Sequence, residues 1–158
     1  MIDHPTKKTF HIALYEPEIP ANTGNIIRLC ACLGVELHLI HPLGFNFDDK
    51  HLKRAGLDYH DLAKIRHYPD FHTFMQMHSA KRIFALTTKC KRQYWSIEYA
   101  AEDIFLFGPE SRGLPEEIRK LLNDHLLTIP MQPAARSLNL SNAVAIIAYE
   151  AARQLNIF

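Results

Sequence analysis

Short apolar segments alternate with amphipathic segments along this chain. The apolar segments, bounded by proline, glycine or polar residues, are typical of strands buried in a parallel sheet: Phe10–Tyr15, Val35–Ile40, Lys64–His67, Arg82–Leu86, Ile104–Phe107 and Leu126–Ile129. Between them, apolar residues recur three and four positions apart, which indicates helices: Gly24–Leu33, Asp48–Ala55, Asp70–His78, Leu114–Leu122 and Ser141–Leu155. This alternation predicts an α/β fold, a single domain over residues 1–158 whose mostly parallel sheet has helices on both faces.

Two of the helices carry clear start signals. Pro115 is expected at the first helical position, where a missing N–H is tolerated, and Glu116 and Glu117 follow at the positive end of the helix dipole. Ser141 is expected to cap the last helix.

The last helix has two apolar stripes. One stripe is enough to pack on a sheet: Val144, Ile147, Ala148, Ala151 and Leu155. The second lies beside it and consists of Ala145, Tyr149 and Ala152. This apolar excess predicts a symmetric homodimer, the alternative being a wide buried face within one chain.

The composition is that of an ordinary globular protein, with 47% hydrophobic residues and a formal net charge of +1. So small a charge argues against a general nucleic-acid coat but leaves room for local basic patches. One patch adjoins two aromatic residues: Lys89, Lys91 and Arg92 with Tyr94 and Trp95; a second comprises Lys50, His51, Lys53 and Arg54. Charge beside a stacking surface suits single-stranded or looped RNA, ordinary solvated charge being the alternative.

Several functional classes lack their sequence signals. Three cysteines with no Cys-x-x-Cys pair indicate neither a disulfide framework nor a structural zinc site. No signal peptide or long apolar run is visible, so we expect a cytoplasmic protein without a membrane partner. Dinucleotide, P-loop, serine-hydrolase and zinc-protease motifs are missing. Histidine pairs such as His38 with His41, or His72 with His78, are interpreted as surface or hydrogen-bonded core side chains, and no metal is expected.

Three polar, turn-rich segments interrupt the regular pattern where strands give way to helices, the place at which open α/β sheets bind ligands. In the first, residues 20–28, the amides of Asn22 and Asn25 can donate and accept, and Arg28 can bind a phosphate. The alternative is that Asn22 or Thr23 only caps a helix beside a solvated arginine.

The second segment, residues 107–115, has Gly108 and Gly113, which permit close backbone approach or a positive φ. Such a loop can offer backbone groups to a flat ligand, the alternative being a tight turn. The third, residues 129–142, is long for a strand-to-helix loop. It crowds polar side chains at the helix entrance: Arg136, Ser137, Asn139 and Asn142. Capping by Asn139 or Ser141 is its simpler explanation.

Together these segments resemble the three motifs of the SPOUT class of RNA methyltransferases, and more narrowly the small YibK-type (TrmL family) tRNA 2′-O-methyltransferases. The resemblance spans nearly the whole chain. Four stretches carry it: residues 14–28 (Leu-Tyr-Glu-Pro-Glu-Ile-Pro-Ala-Asn-Thr-Gly-Asn-Ile-Ile-Arg), 54–60 (Arg-Ala-Gly-Leu-Asp-Tyr-His), 107–115 (Phe-Gly-Pro-Glu-Ser-Arg-Gly-Leu-Pro) and 136–145 (Arg-Ser-Leu-Asn-Leu-Ser-Asn-Ala-Val-Ala).

The resemblance implies an α/β fold with a C-terminal trefoil knot, an exception to unknotted topology, and a homodimer formed through the first and last helices. It implies S-adenosylmethionine as methyl donor, bound by Leu86, Gly108, Ile129, Met131, Ser137 and Leu138. Arg28 matches the arginine to which a catalytic role is assigned. The residues expected at the tRNA are Asn22, Asn25, Arg28, Glu110, Arg136 and Asn139.

The implied reaction is 2′-O-methylation of the wobble nucleotide, cytidine 34 or a modified uridine 34, in leucine tRNAs. The sulfonium makes transfer favourable without a metal, and the hydroxyl must be positioned and deprotonated. Arg28 either accepts this proton or binds the adjacent phosphate while another group accepts it. Another tRNA or rRNA site, or a non-catalytic RNA-binding module on the same fold, are the alternatives. Two departures from the family pattern, Cys90 and Ala135, touch no residue required for catalysis.

Overall fold

A computed structural model describes residues 7–48, 50, 54, 57 and 64–158. The strands are β1 (His11–Tyr15), β2 (Glu36–Ile40), β3 (Ile65–Tyr68), β4 (Ile83–Leu86), β5 (Ile104–Phe107) and β6 (Leu126–Leu127). The helices are α1 (Pro20–Leu33), α2 (Phe71–Met77), α3 (Glu116–Leu121) and α4 (Leu140–Leu155), with a 3₁₀ turn at Asn123–His125. The helix expected over residues 48–55 falls mostly outside the described residues.

The six strands form one sheet in the order β3-β2-β1-β5-β4-β6. Every strand pair in this sheet is parallel, and His11 at the start of β1 lies opposite both Glu36 and Ile104. The predicted α/β fold with a mostly parallel sheet is therefore confirmed, whereas the trefoil knot stays a prediction.

Helices cover both faces of the sheet because side chains alternate along each strand. Ile12 and Leu14 point to the face that α1 and α4 cover, and share a core with Ile26 and Ile147. Ala13 lies on the opposite face, in the core to which α2 and α3 contribute. Most strand residues are buried, as expected for a parallel sheet with two covered faces.

The first and last helices begin earlier than the sequence predicts. Helix α1 starts at Pro20 and not at Gly24, because proline has a suitable φ and needs no hydrogen-bond partner in the first turn. Asn22 therefore lies inside the helix, and the interpretation of it as a cap is wrong. Helix α4 is capped by Asn139, whose side-chain oxygen accepts hydrogen bonds from the N–H groups of Ser141 and Asn142, so the prediction of Ser141 as the cap is also wrong.

Two further boundaries differ from the prediction. Pro115 precedes α3 at the capping position, with an extended ψ of 152°, and is not the first helical residue. Strand β6 ends after Leu127, because Thr128 makes only an isolated parallel bridge to Gln93. The remaining strand and helix predictions within the described residues agree with the structure to within two residues.

Buried imidazoles lie on the face covered by α2. His38 hydrogen-bonds to His11 and to the Tyr68 hydroxyl, and that hydroxyl also contacts His78. Burial, followed by the neighbouring histidines and cations, lowers the pKa of His38 to about 3, so its ring is neutral. The interpretation of His38 as a hydrogen-bonded core side chain is confirmed.

Across the described residues, no helix is both long enough and apolar enough for a membrane span.

Candidate active site

A cavity of about 440 Å³ opens at the carboxyl ends of β4, β5 and β6. Its walls are the end of β4 with Thr87–Lys89, the 108–113 loop, and the chain between β6 and α4. The six residues predicted to bind the methyl donor all line it: Leu86, Gly108, Ile129, Met131, Ser137 and Leu138. Of the residues predicted at the tRNA, Glu110 and Arg136 also line it. The second and third polar segments thus form one pocket, at the edge where parallel sheets bind ligands.

The two glycines of the 108–113 loop are each required by the local structure, but for different reasons. A Cβ on Gly108 would lie 2.3 Å from the amide nitrogen of Leu114, so only glycine lets the loop fold back on itself. Gly113 has a φ of +66°, the left-handed conformation that side chains disfavour. The prediction that these glycines permit close approach or a positive φ is confirmed, one reason at each position.

Carboxylates in the chain just before the first polar segment bind the second segment. The Glu18 carboxylate accepts hydrogen bonds from the Ser111 N–H at 2.8 Å and the Ser111 hydroxyl at 2.7 Å. In return, the Glu110 carboxylate accepts from the Glu18 N–H at 2.7 Å. Arg112 donates to Glu16 at 3.1 Å. The hydrogen bonds from Ser111 lower the pKa of Glu18, so its carboxylate stays ionised at a lower pH than that of an ordinary glutamate.

An amide pair fastens the first segment to the third. Asn139 donates from its side-chain nitrogen to the Asn22 carbonyl oxygen at 3.1 Å, across 117 positions of sequence. Asn22 is buried, with 6% of its surface exposed. Both residues, predicted at the tRNA, therefore connect the entrances of α1 and α4, directly beside Leu138 and Leu140 of the cavity wall.

Arg28 and Asn25 lie on α1, and both are exposed. Within the single chain they are not among the residues that line the cavity. The structure thus brings the three segments together but presents these two side chains on a neighbouring surface, so the catalytic role of Arg28 stays a prediction.

Sequence reasoning missed part of the site. Thr87, Thr88 and Lys89 line the cavity because they directly follow β4. Their position was predictable, since open α/β sheets bind ligands at the carboxyl ends of their strands. Glu18 was missed because its partners are more than 90 positions away. Within the described residues, Glu110 has one carboxylate oxygen that is buried and lacks a protein partner.

The basic-aromatic patch predicted from the sequence lies next to this cavity. Lys89 is a cavity residue, and Lys91, Arg92 and Trp95 are exposed. The rings of Tyr94 and Trp95 meet edge to face, 5.0 Å apart. Exposed charge and an exposed indole thus border one side of the pocket. In the other basic patch, Lys50 and Arg54 are exposed, and His51 and Lys53 lie outside the described residues.

A model described as the SpoU rRNA Methylase family matches residues 9–149, nearly the whole chain and all three segments of the site. The chain belongs to this family. A solved structure, a putative RNA methyltransferase from Bacillus anthracis, superposes on this chain with a TM-score of 0.88 at 48% identity, covering 94% of this chain and 96% of that one.

Relatives of similar length carry a narrower name within the SpoU family. A protein of Aeromonas hydrophila, 56% identical over 91% of this chain and 93% of its own length, is named tRNA (cytidine(34)-2′-O)-methyltransferase. So is a protein of Escherichia coli K12 at 51% identity, over 92% of this chain and 93% of its own length. A solved structure concerned with 2-OH methylation of C/U34 on tRNA superposes with a TM-score of 0.89 at 44% identity, covering 96% of this chain and 99% of that one.

Proposed function

We propose that this chain transfers the methyl group of S-adenosylmethionine to the ribose 2′-hydroxyl of nucleotide 34 of tRNA. The observation that carries the proposal is that three loops, residues 87–89, 108–113 and 128–138, line one cavity. The identity to full-length relatives named for cytidine-34 methylation supports the substrate.

The residues of the cavity fit the methyl donor. Its volume, about 440 Å³, is in the range of small-molecule sites. The buried, unpartnered oxygen of Glu110 can accept a hydrogen bond from a ligand N–H or O–H. A larger SpoU methyltransferase, AviRb of Streptomyces viridochromogenes, was solved with AdoMet at a TM-score of 0.80 and 26% identity, covering 95% of this chain and 59% of that one.

The bound donor supplies an electrophilic methyl group on a sulfonium. The protein then has to hold the hydroxyl in line with it and take up one proton. Leu86 ends β4 and Ile129 follows β6, and both line the cavity with apolar side chains, whereas residues 132–139 are exposed. Arg28 is the proposed catalytic residue, either as proton acceptor or by binding the phosphate next to the reacting ribose.

Recognition of RNA by so small a chain requires much of its surface, and we propose that a homodimer supplies it. Tyr149 on α4 is 52% exposed, and Asn25 and Arg28 on α1 are exposed too. Helix α1 packs against α4, so these residues belong to one helical layer. We propose that the two-fold pair forms through this layer and that Arg28 of one protomer acts at the cavity of its partner. With tRNA as substrate, the protein acts in the cytoplasm.

Ribosomal RNA is the second candidate substrate, because the family is described by rRNA methylation. The experiment is to incubate the protein with labelled S-adenosylmethionine and, in parallel, bulk tRNA or rRNA, then digest each to nucleosides. Label in a ribose-methylated nucleoside from tRNA supports the proposal. Label only from rRNA, or donor and RNA binding without transfer, would contradict it.

A further inference from the structure

The amino end of the sheet, opposite the cavity, holds a second cluster of chemically capable side chains. His11 begins β1, Glu36 begins β2, and these two residues are paired across the strands. His38 follows two positions after Glu36, so all three side chains lie on the same face. Four strand residues, about 13 Å, separate His11 from the other end of β1.

The ligand atoms of these three residues form a compact triangle. His11 Nδ1 lies 3.0 Å from His38 Nε2 and 3.5 Å from Glu36 Oε2, and His38 Nε2 lies 3.9 Å from that oxygen. The point about 2.0 Å from all three atoms, the length of a bond from zinc to nitrogen or oxygen, lies in the plane of the three atoms. A small movement of the partly exposed Glu36 side chain toward His38 brings the three atoms into a tetrahedral arrangement. Two imidazoles and one carboxylate also form one of the recurring ligand sets of zinc.

Both imidazoles have partners that orient them as metal ligands require. The outer nitrogen of His11 contacts a Glu102 carboxylate oxygen at 2.8 Å, and the outer nitrogen of His38 contacts the Tyr68 hydroxyl at 2.7 Å. Without metal, one facing nitrogen donates a hydrogen bond to the other. When zinc binds, that proton moves to the outer nitrogen of the same ring, so that both facing nitrogens can act as ligands. Such outer partners are typical of metal-bound histidines.

Two cationic and two acidic side chains surround the cluster, and the Lys81 ammonium also lies 3.4 Å from His11 Nε2. Lys81 lies 3.3 Å from Glu102, and Arg66 lies 3.5 Å from the Glu36 oxygen that points away from the histidines. The histidine rings are buried, but the Glu36 side chain is 33% exposed. A cation can therefore enter from solvent past Glu36, and a water molecule can take the fourth position.

We propose that His11, Glu36 and His38 form a zinc-binding site that ties β1 to β2 at the end of the sheet away from the cavity. No motif in the sequence predicts this site, since His11 and His38 are 27 positions apart and match no metal-binding pattern. The site has no part in methyl transfer. It stabilises the amino end of the sheet when zinc is bound.

The test uses untagged full-length protein freed of metal by a chelator. Zn²⁺ is titrated against a chromogenic chelator, and Co²⁺ is used as a probe because its tetrahedral complexes absorb visible light. We expect one equivalent of Zn²⁺ and a tetrahedral Co²⁺ spectrum. Glu36→Gln, at a partly exposed position, should bind Zn²⁺ at least tenfold more weakly, and Glu102→Gln about tenfold more weakly.

His67→Ala is the matched control. His67 forms the other close histidine pair, with His41 at 2.8 Å, but that pair is exposed and belongs to no three-ligand cluster among the described residues. The control should bind Zn²⁺ like the wild type, and metal-free Glu36→Gln should unfold at the wild-type temperature. Absence of an equivalent of bound Zn²⁺, unchanged affinity in Glu36→Gln, or loss of binding in His67→Ala instead would each overturn the proposal.

Discussion

Asn139 holds two parts of the active-site end together, so replacing it should affect both stability and donor binding. Its side-chain oxygen accepts from the Ser141 N–H at 2.9 Å and the Asn142 N–H at 3.3 Å, which caps α4. Its nitrogen donates to buried Asn22. Asn139→Ala removes the cap and leaves the Asn22 oxygen without its partner.

The two losses can be estimated separately. Loss of a helix cap costs about 1 kcal/mol. A buried acceptor left without a donor costs about 1–3 kcal/mol. Asn139→Ala should therefore lower the free energy of unfolding by about 2–4 kcal/mol. Asn139→Asp keeps the capping oxygen, and Asn22 can turn its amide to donate to it, so this variant should lose less than about 1 kcal/mol.

Urea unfolding measures both values, and Asn142→Ala, an exposed substitution three residues along, is the control. Equilibrium binding of S-adenosylmethionine should weaken in Asn139→Ala, because Leu138 and Leu140 line the cavity on either side of it. Surface substitutions change the free energy of unfolding by about 0.5 kcal/mol or less. If the free energy of unfolding of Asn139→Ala were within this margin of the control's, the proposed stabilising role of the Asn139–Asn22 hydrogen bond would be refuted.

Three further predictions follow from the site and the core. Gly108→Ala should destabilise the fold by about 1–3 kcal/mol and abolish donor binding, because its Cβ would overlap the loop backbone; urea unfolding with unchanged stability would contradict this. The Ser111 hydrogen bonds lower the pKa of Glu18 and stabilise the folded state at any pH above the ordinary carboxyl pKa of 4.5. This stabilisation is lost as the pH falls through the lowered pKa of Glu18. Glu18→Gln should accordingly flatten the acid side of a stability-against-pH curve, and an unaltered slope would count against the connection between the loops. Burial raises the pKa of Cys30 to about 12, so a thiol reagent at pH 8 should label exposed Cys32 and spare Cys30, as peptide mass spectrometry can check; equal labelling would argue against the buried position of Cys30.

Local patterns predicted the framework well. Short apolar runs such as Ile104–Phe107, bounded by polar residues, favour buried strands, and their alternation with helices predicts a parallel sheet. The predicted starts of helices were less reliable, because a residue type that favours the capping position can also lie inside the first turn of a helix. Asn22 and Ser141 are both good caps, yet a proline start and a competing Asn139 place them inside helices.

Long-range pairing lies beyond such reasoning. The donor-site residues were identified through resemblance, and the strand-end rule explains why they meet. Contacts such as Glu18 with Ser111, or His11 with His38, join positions whose local sequence shows no periodic or motif signal. They depend on strand order, which brings β1 beside both β2 and β5.

The most direct test of the account is methyl transfer to a tRNA transcript in which a single ribose is changed. A leucine tRNA with an ordinary ribose at nucleotide 34 should accept one methyl group, located at its 2′-oxygen by mass spectrometry. The same tRNA with 2′-deoxyribose at nucleotide 34 should accept none. Equal methylation of the two transcripts would contradict the assignment of this cavity to 2′-hydroxyl methylation at nucleotide 34.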